Sequence, residues 1–573
     1  MLEAHKRRSI LAAAIVVLLV SACGPQARTL DGAAPSPGST ALTRPKVITL
    51  AVQREPVNLL TVPFGGSPKT GGASNPRYIV HDALVVQDAR GELQPQLAAE
   101  KPEVDKGTWR VNADGSMDMT WKLRPNVKWH DGAPFSSEDM LFAFTVKKDP
   151  DMPWPSLGRP ELMASAAAPD PTTFTIHWSG AYVDADQLQD VEPLPRHLLE
   201  PTYRADKEAF LRSPWFTGEF IGLGPYRLAR WEPGSHMEFA RFDDYYQGRP
   251  PFDTVVMRFM ADANTLVANV LSGAVDAVVP PGLDLDTALE VQGRWEGTGN
   301  QVRFDVTDTI QYVQIQYRPD YSRPKNGLET RAVRQGLYQA IDRAALVEVV
   351  SHSLAPVADS WYAPHDAVRR EIQDAIPRFP YDAARAQQLL AQAGWSRDST
   401  GGLVDGQSGE RFDLELRANQ GAGIEKEMNV IGDGWKAQGV QVQFNVVPPA
   451  RVGDAEYAAT FPGAYLFFSS GAPFADNRLH SRYIGTAANR WAGRNRGGYN
   501  NPRVDAVLDK LVVTIDPGQR IPFHRELLQE QMADVALMPL YWQVAPLLAV
   551  KGVKAPPTAG NIPTSNFIVW DRE

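Results

Sequence analysis

The sequence predicts an α/β protein, and three observations carry that expectation. Short β-rich runs alternate along the whole chain with helical segments bounded by capping residues. The 45 glycines and 46 prolines among 573 residues favour a loop-rich α/β chain over a long helical bundle. No repeat of 20–50 residues is found, which argues against a solenoid or propeller. Two to four folding units are expected at this length. An apolar fraction of 43% with 22% charged residues is ordinary for a soluble globular protein. The net charge of −9 disfavours a nucleic-acid partner, which would need a concentrated basic face.

At the amino terminus, Lys6-Arg7-Arg8 precede an apolar run from Ile10 to Val20. A membrane span takes roughly 20 such residues, so the shorter run fits a signal-peptide core, residues 1–22. Leu19-Val20-Ser21-Ala22-Cys23 resembles a bacterial lipobox, which implies lipidation of Cys23 and cleavage before it. An ordinary signal peptide with an incidental cysteine is the alternative. Cys23 is the one cysteine of the chain, so an internal disulfide and a cysteine-based metal site are excluded. Residues 24–45 carry almost no large apolar side chain and cannot offset their ordering entropy, so 23–45 is expected to be a lipidated tether.

Val47 to Val52 is the expected first strand. A strand is expected around Trp121 and Leu123, with turn chemistry at His130-Asp131-Gly132. Ser136, three residues before Asp139, predicts a helix from about Ser137. Asn264 is expected to cap a helix reaching Ser272, with Gly273 ending it. Asp382 caps Ala383 to Ala393, whose Ala386, Leu389, Leu390 and Ala393 form one apolar stripe before Gly394. Asn501-Pro502 opens a helix carrying Val504, Val507, Leu508 and Leu511 on one face. Pro522 is expected to interrupt or start the next helix, through Leu527, Leu528 and Met532.

Catalytic patterns are missing from the sequence. There is no G-x-S-x-G, no H-E-x-x-H and no P-loop. Gly222-Leu223-Gly224 lacks a third glycine because Arg227 stands there. Ser322 to Lys325 matches S-x-x-K, but Pro324 disfavours the helix that motif needs. No enzyme activity, catalytic residue, metal or cofactor is expected. Aromatic side chains crowd the second half. Most are expected in the core, and a few as walls of a small-molecule cleft.

Four blocks carry a resemblance. They are Leu93 to Phe144, Gly222 to Val278, Val333 to Val350 with Tyr381 to Trp395, and Gly498 to Leu511. In this order they resemble the extracytoplasmic solute-binding proteins of ABC importers, family 5, the branch containing peptide and nickel binders. The resemblance implies a two-lobe periplasmic-binding-protein fold, type II-like, with an extra subdomain inserted in lobe I. Lobe I would be 46–90, 217–300 and 545–573, the insert 91–216, and lobe II 301–544. It implies a solute-binding lipoprotein, monomeric and held at the cell envelope by its lipid, that delivers an oligopeptide or other small organic molecule to importer permease subunits. A lipid-anchored sensory or interaction protein on the same scaffold is the alternative.

Trp129, His130 and Asp131 are expected to hold a turn in the insert, Gly224-Pro225-Tyr226 another in lobe I, and Arg343 a pair within lobe II. Peptide binders of the family carry an acid for the peptide amine in a segment resembling Tyr465 to Pro473. Here that segment has none before Asp476. The expected cleft wall is Phe467, Phe468 and Ser470 with Trp361 and Tyr362, faced by Tyr78 from lobe I. Rigid aromatic faces give contact area at low entropic cost. A strand buried in lobe II is the other reading of Phe467 and Phe468.

Overall fold

The computed structural model describes residues 44–573 apart from 61–73, 89–90, 153–158, 189, 422, 472–477 and 558–561. Cys23 and Asp476 lie outside the described residues. Ten strands form one sheet. In chain order they are β1 (Val47–Val52), β2 (Tyr226–Glu232), β3 (His236–Arg241), β4 (Thr254–Phe259) and β5 (Ala277–Val278). The others are β6 (Gln301–Ile315), β7 (Asp413–Asn419), β8 (Gln441–Val447), β9 (Ala464–Ser470) and β10 (Leu537–Ala549). Their spatial order is β8-β7-β9-β6-β10-β5-β1-β4-β3-β2.

The two longest strands, β6 and β10, lie at the middle and run antiparallel. Val306 opposes Val544 and Ile310 opposes Trp542, so Thr307 to Thr309 face Gln543 alone. This break divides the sheet into two lobes. The early half of β6 and the late half of β10 join β5, β1 and β4, whereas the remaining halves join β9 and β7. The expected boundary at 300/301 falls at the start of β6, a strand that serves both halves of the sheet.

Each half-sheet is covered on both faces, as parallel strands require. In the first lobe Ile48 and Leu50 pack on one side, and Ala51, Leu266 and Val291 on the other. In the second, Leu416, Ile431 and Trp435 oppose Tyr312, Val507 and Trp542. The insert is a five-stranded antiparallel sheet spanning Ala98 to Trp178, with the Ser137–Lys148 helix. Its Trp121, Met140 and Phe174 share the core of the first lobe.

Local signals explain most element ends. Asp139 accepts the Ser136 N–H at 2.9 Å, closing a capping box. Asp382 and Asn501 cap their helices as expected, and Val504, Val507, Leu508 and Leu511 are all buried. Two expectations are corrected. Asp262, not Asn264, caps the Ala263–Leu271 helix, accepting the Thr265 N–H at 2.7 Å. The last long helix runs Pro517–Asp534 from an Asp516 cap, so Pro522 lies inside it, where its missing N–H forfeits one helical bond.

The insert is tied to the first lobe by buried polar groups. The His130 Nδ1 accepts the Gly222 N–H at 3.1 Å, so Nε2–H donates to the Gly224 carbonyl at 3.0 Å. Burial lowers this imidazole to about 4, which keeps it neutral. A Cβ on Gly222 or Gly224 would strike the backbone at Val80, so glycine permits this approach. Arg343 donates to the Tyr338 hydroxyl and the Ala358 carbonyl within the second lobe.

Arg77 of the Ser74–Val80 helix forms an ion pair with Glu192 of the insert, with both side chains nearly enclosed. Arg77→Met would leave the Glu192 charge buried without its partner, and we expect a loss of about 3–5 kcal/mol in denaturant unfolding. Arg77→Met with Glu192→Leu should recover most of it. A single substitution costing nothing would show the pair to be dispensable.

Candidate functional site

The break between β6 and β10 sits beside a cavity of about 140 Å³. It opens where the parallel strands β7 and β9 end, the place where open α/β sheets receive ligands. Asn419 and Gln420 follow from β7, Phe467 and Phe468 from β9, and Gln311 and Gln543 from the crossing strands. Glu427 and Ile424 come from the Ile424–Ala437 helix.

A polar chain runs along one side. The Gln543 Nε2 donates to Gln311 Oε1 at 3.0 Å, and Gln311 Nε2 donates to Glu427 Oε2 at 2.9 Å. The Tyr541 hydroxyl also bonds Glu427. Gln311 stands opposite both Phe468 and Tyr541 in the ladder, so these three share one sheet face, toward Glu427. Burial raises the Glu427 carboxyl to about 7 against the pull of its two neutral donors.

The aromatic expectation divides. Phe467 is half-buried and lines the cavity, with the Arg496 guanidinium carbon 4.6 Å from its ring centroid. Phe468 also lines it and is 56% exposed. Ser470 opposes Thr309 through the backbone, and its side chain lies outside the described residues. Trp361 and Tyr362 are both buried in the second-lobe core and do not line this cavity. Their segment runs beside the outer edge of β10, with Trp542 N–H donating to Pro356 at 2.9 Å. That route sends Trp361 against Tyr312 and brings the Tyr362 hydroxyl to His524 Nδ1 at 2.8 Å.

Tyr78, expected to face that wall, does not line this cavity. It lines a separate cavity of about 420 Å³ with Asp82, Gln96 and Tyr245. Tyr245 precedes β4, which places this cavity at the end of the first-lobe sheet where its parallel strands begin. Gln311, Glu427 and Gln543 escaped the sequence reading. One signal was there: Glu427 interrupts the apolar stripe of Ile424, Met428, Ile431 and Trp435.

The lobes touch on two sides of the crossing. Asp286 of the first lobe meets His352 Nε2 at 2.6 Å and Lys426 Nζ at 3.0 Å, both from the second. Arg520 of the second lobe lies in the field of Asp184 and Asp186 of the insert. Burial raises those carboxyls to about 7 and about 6. Ile515 packs against the first-lobe core beside them. Among the described residues no cluster of metal-ligating side chains occurs, and no helix is long and apolar enough to cross a membrane.

Glu427 gives stability a sign with pH. Its folded carboxyl titrates near 7 rather than at 4.5, so in that window the folded state keeps a proton the unfolded chain has lost. Its contribution therefore falls as pH rises from about 4.5 to 7. Glu427→Gln removes that dependence. Relative to the parent chain, the variant should gain up to about 3 kcal/mol between pH 5 and pH 8. Parallel pH profiles in thermal melts would refute the assignment.

The oligopeptide-binding protein AppA of Bacillus subtilis is 27% identical over 381 residues, 62% of this chain and 66% of that relative. The structure of an oligopeptide-binding protein of Thermus thermophilus with a pentapeptide superposes with a TM-score of 0.71 at 22% identity. It covers 92% of this chain and 96% of its own. NikZ of Campylobacter jejuni in complex with Ni(L-His) gives 0.70 at 20%, covering 92% and 99%. These likenesses carry the two-lobe fold. Residues 92–488 match the family described as bacterial extracellular solute-binding proteins, family 5 Middle, and with most of its length inside that match this chain belongs to the family.

Proposed function

We propose that this chain captures an oligopeptide or another small organic solute outside the cytoplasmic membrane and delivers it to an ABC importer. One observation carries the reading: a cavity at the strand crossing, flanked by ion pairs that join the two lobes. A solute seated there meets the axis about which the lobes would move. By reaching from this second-lobe lining to the first lobe, it would bind the closed state better and shift the population toward it. Relatives named for oligopeptides support a peptide, and a fold neighbour holding Ni(L-His) supports a wider class of solute. The chain acts by binding, as a monomer, without chemical turnover.

Ligand should raise the melting temperature through RT ln(1 + [L]/Kd), about 2.7 kcal/mol at a hundredfold excess over Kd. A thermal-shift screen of peptides, amines, sugars and metal chelates should find a stabiliser that is recovered unchanged. Its consumption would mark an enzyme instead. Asp286→Asn should weaken binding of that compound several-fold at most, because exposed ion pairs contribute only about 0–1 kcal/mol each. Unchanged affinity would remove the interlobe pairs from the mechanism.

Cys23 is proposed as the lipid attachment point. Cys23→Ser should move the protein from the membrane fraction to the soluble one in a cell fractionation. Retention in the membrane would defeat the anchor.

A further inference from the structure

We propose that the cavity at the strand crossing is a cation subsite, in which Glu427 takes a primary ammonium or guanidinium group of the solute. This rests on the receptor reading and narrows its ligand class. Glu427 is the one charged residue among the described residues lining the cavity. Its partners are a phenol and a primary amide, both neutral donors. An ionised carboxylate accepts about four hydrogen bonds, so two donors leave acceptor positions for a ligand. A charge held this deep needs a partner of opposite sign, and the described lining supplies none.

The surrounding groups fit the same guest. Lys426, the neighbour on the helix, is engaged by Asp286 of the other lobe. The Gln543–Gln311 relay fixes the amide that holds Glu427, so the carboxyl keeps one orientation. Arg496 already lies over Phe467, which leaves the exposed ring of Phe468 as the aromatic face for a second cation. The volume of about 140 Å³ suits the charged end of a solute, not a whole peptide. An anionic group would meet the Glu427 carboxylate, and the described lining offers it amide donors but no charged one.

The amine could belong to a peptide or to a polyamine. Equilibrium binding of the mature chain at about pH 7.5 would use Ala-Ala-Ala, Lys-Lys-Lys and spermidine, with acetyl-Ala-Ala-Ala-amide and acetyl-Glu-Glu-Glu as cation-free controls. At least one cationic probe should bind, and the controls at least about tenfold more weakly. Glu427→Gln should weaken the bound cation about tenfold or more while the unliganded melting temperature is kept or raised. Phe468→Ala, at an exposed position, should weaken it about threefold. Which cation binds decides between the peptide and polyamine sources. A Glu427→Gln variant that binds the cation as the parent does overturns the proposal. So does a parent chain that prefers the cation-free probes, and in that case the receptor reading stands. Failure of every solute class to bind removes the receptor reading, and the subsite with it.

Discussion

Both lobes share the strands β6 and β10, and this shared ladder constrains everything else in the molecule. Two neighbouring strands cross from one lobe to the other, hydrogen-bonded on either side of the break at Thr307 to Thr309, with a second register shift between Gln311 and Tyr312. Twisting or sliding one lobe against the other would cost those bonds, each worth about 0.5–1.5 kcal/mol net. Bending at the break costs far less, because Thr307 to Thr309 and Gln543 are already out of register. The ladder thus selects opening and closing from all possible relative motions. It also sets where a ligand can act on that motion.

The break does a second thing. A bulge rotates side chains relative to the regular pleat, and here it comes just before Gln311 in β6 and just after Trp542 in β10. Two glutamines and a tyrosine from the crossing strands therefore converge on a helix of the second lobe. That helix places Lys426 on the first lobe and Glu427 on the cavity, one residue apart. The cavity contact and the lobe contact are thus carried by a single helical turn.

The local architecture was legible in the sequence because its causes are local. Ser136 with Asp139, Asp382 and Asn501-Pro502 announce helix starts through side chains that satisfy free amides within three residues. The expectation at Asn264 falls two residues late, because Asp262 takes the cap by accepting the Thr265 N–H. The site was less legible. Of the aromatics expected on one wall, Phe467 and Phe468 line the cavity, while Trp361 and Tyr362 lie in the core beside β10. That depends on the path of residues 356–362 past a strand nearly 200 residues later, a matter of tertiary packing. Gln311, Glu427 and Gln543 are brought together from three distant segments, and no periodicity links them.

Glu427 shows how such a residue is read once the fold is known. A glutamate in the buried stripe of a helix opposes the packing that orders the helix, since it replaces an apolar contact with a carboxyl that must be hydrogen-bonded or paired. The fold satisfies it in part, with Tyr541 and Gln311. The same helix buries Met428, Ile431 and Trp435 in the second-lobe core, whereas Glu427 lines the cavity. Stability alone does not account for an acid at this position, lining a cavity beside the strand break, with neutral donors where a cation would complete it.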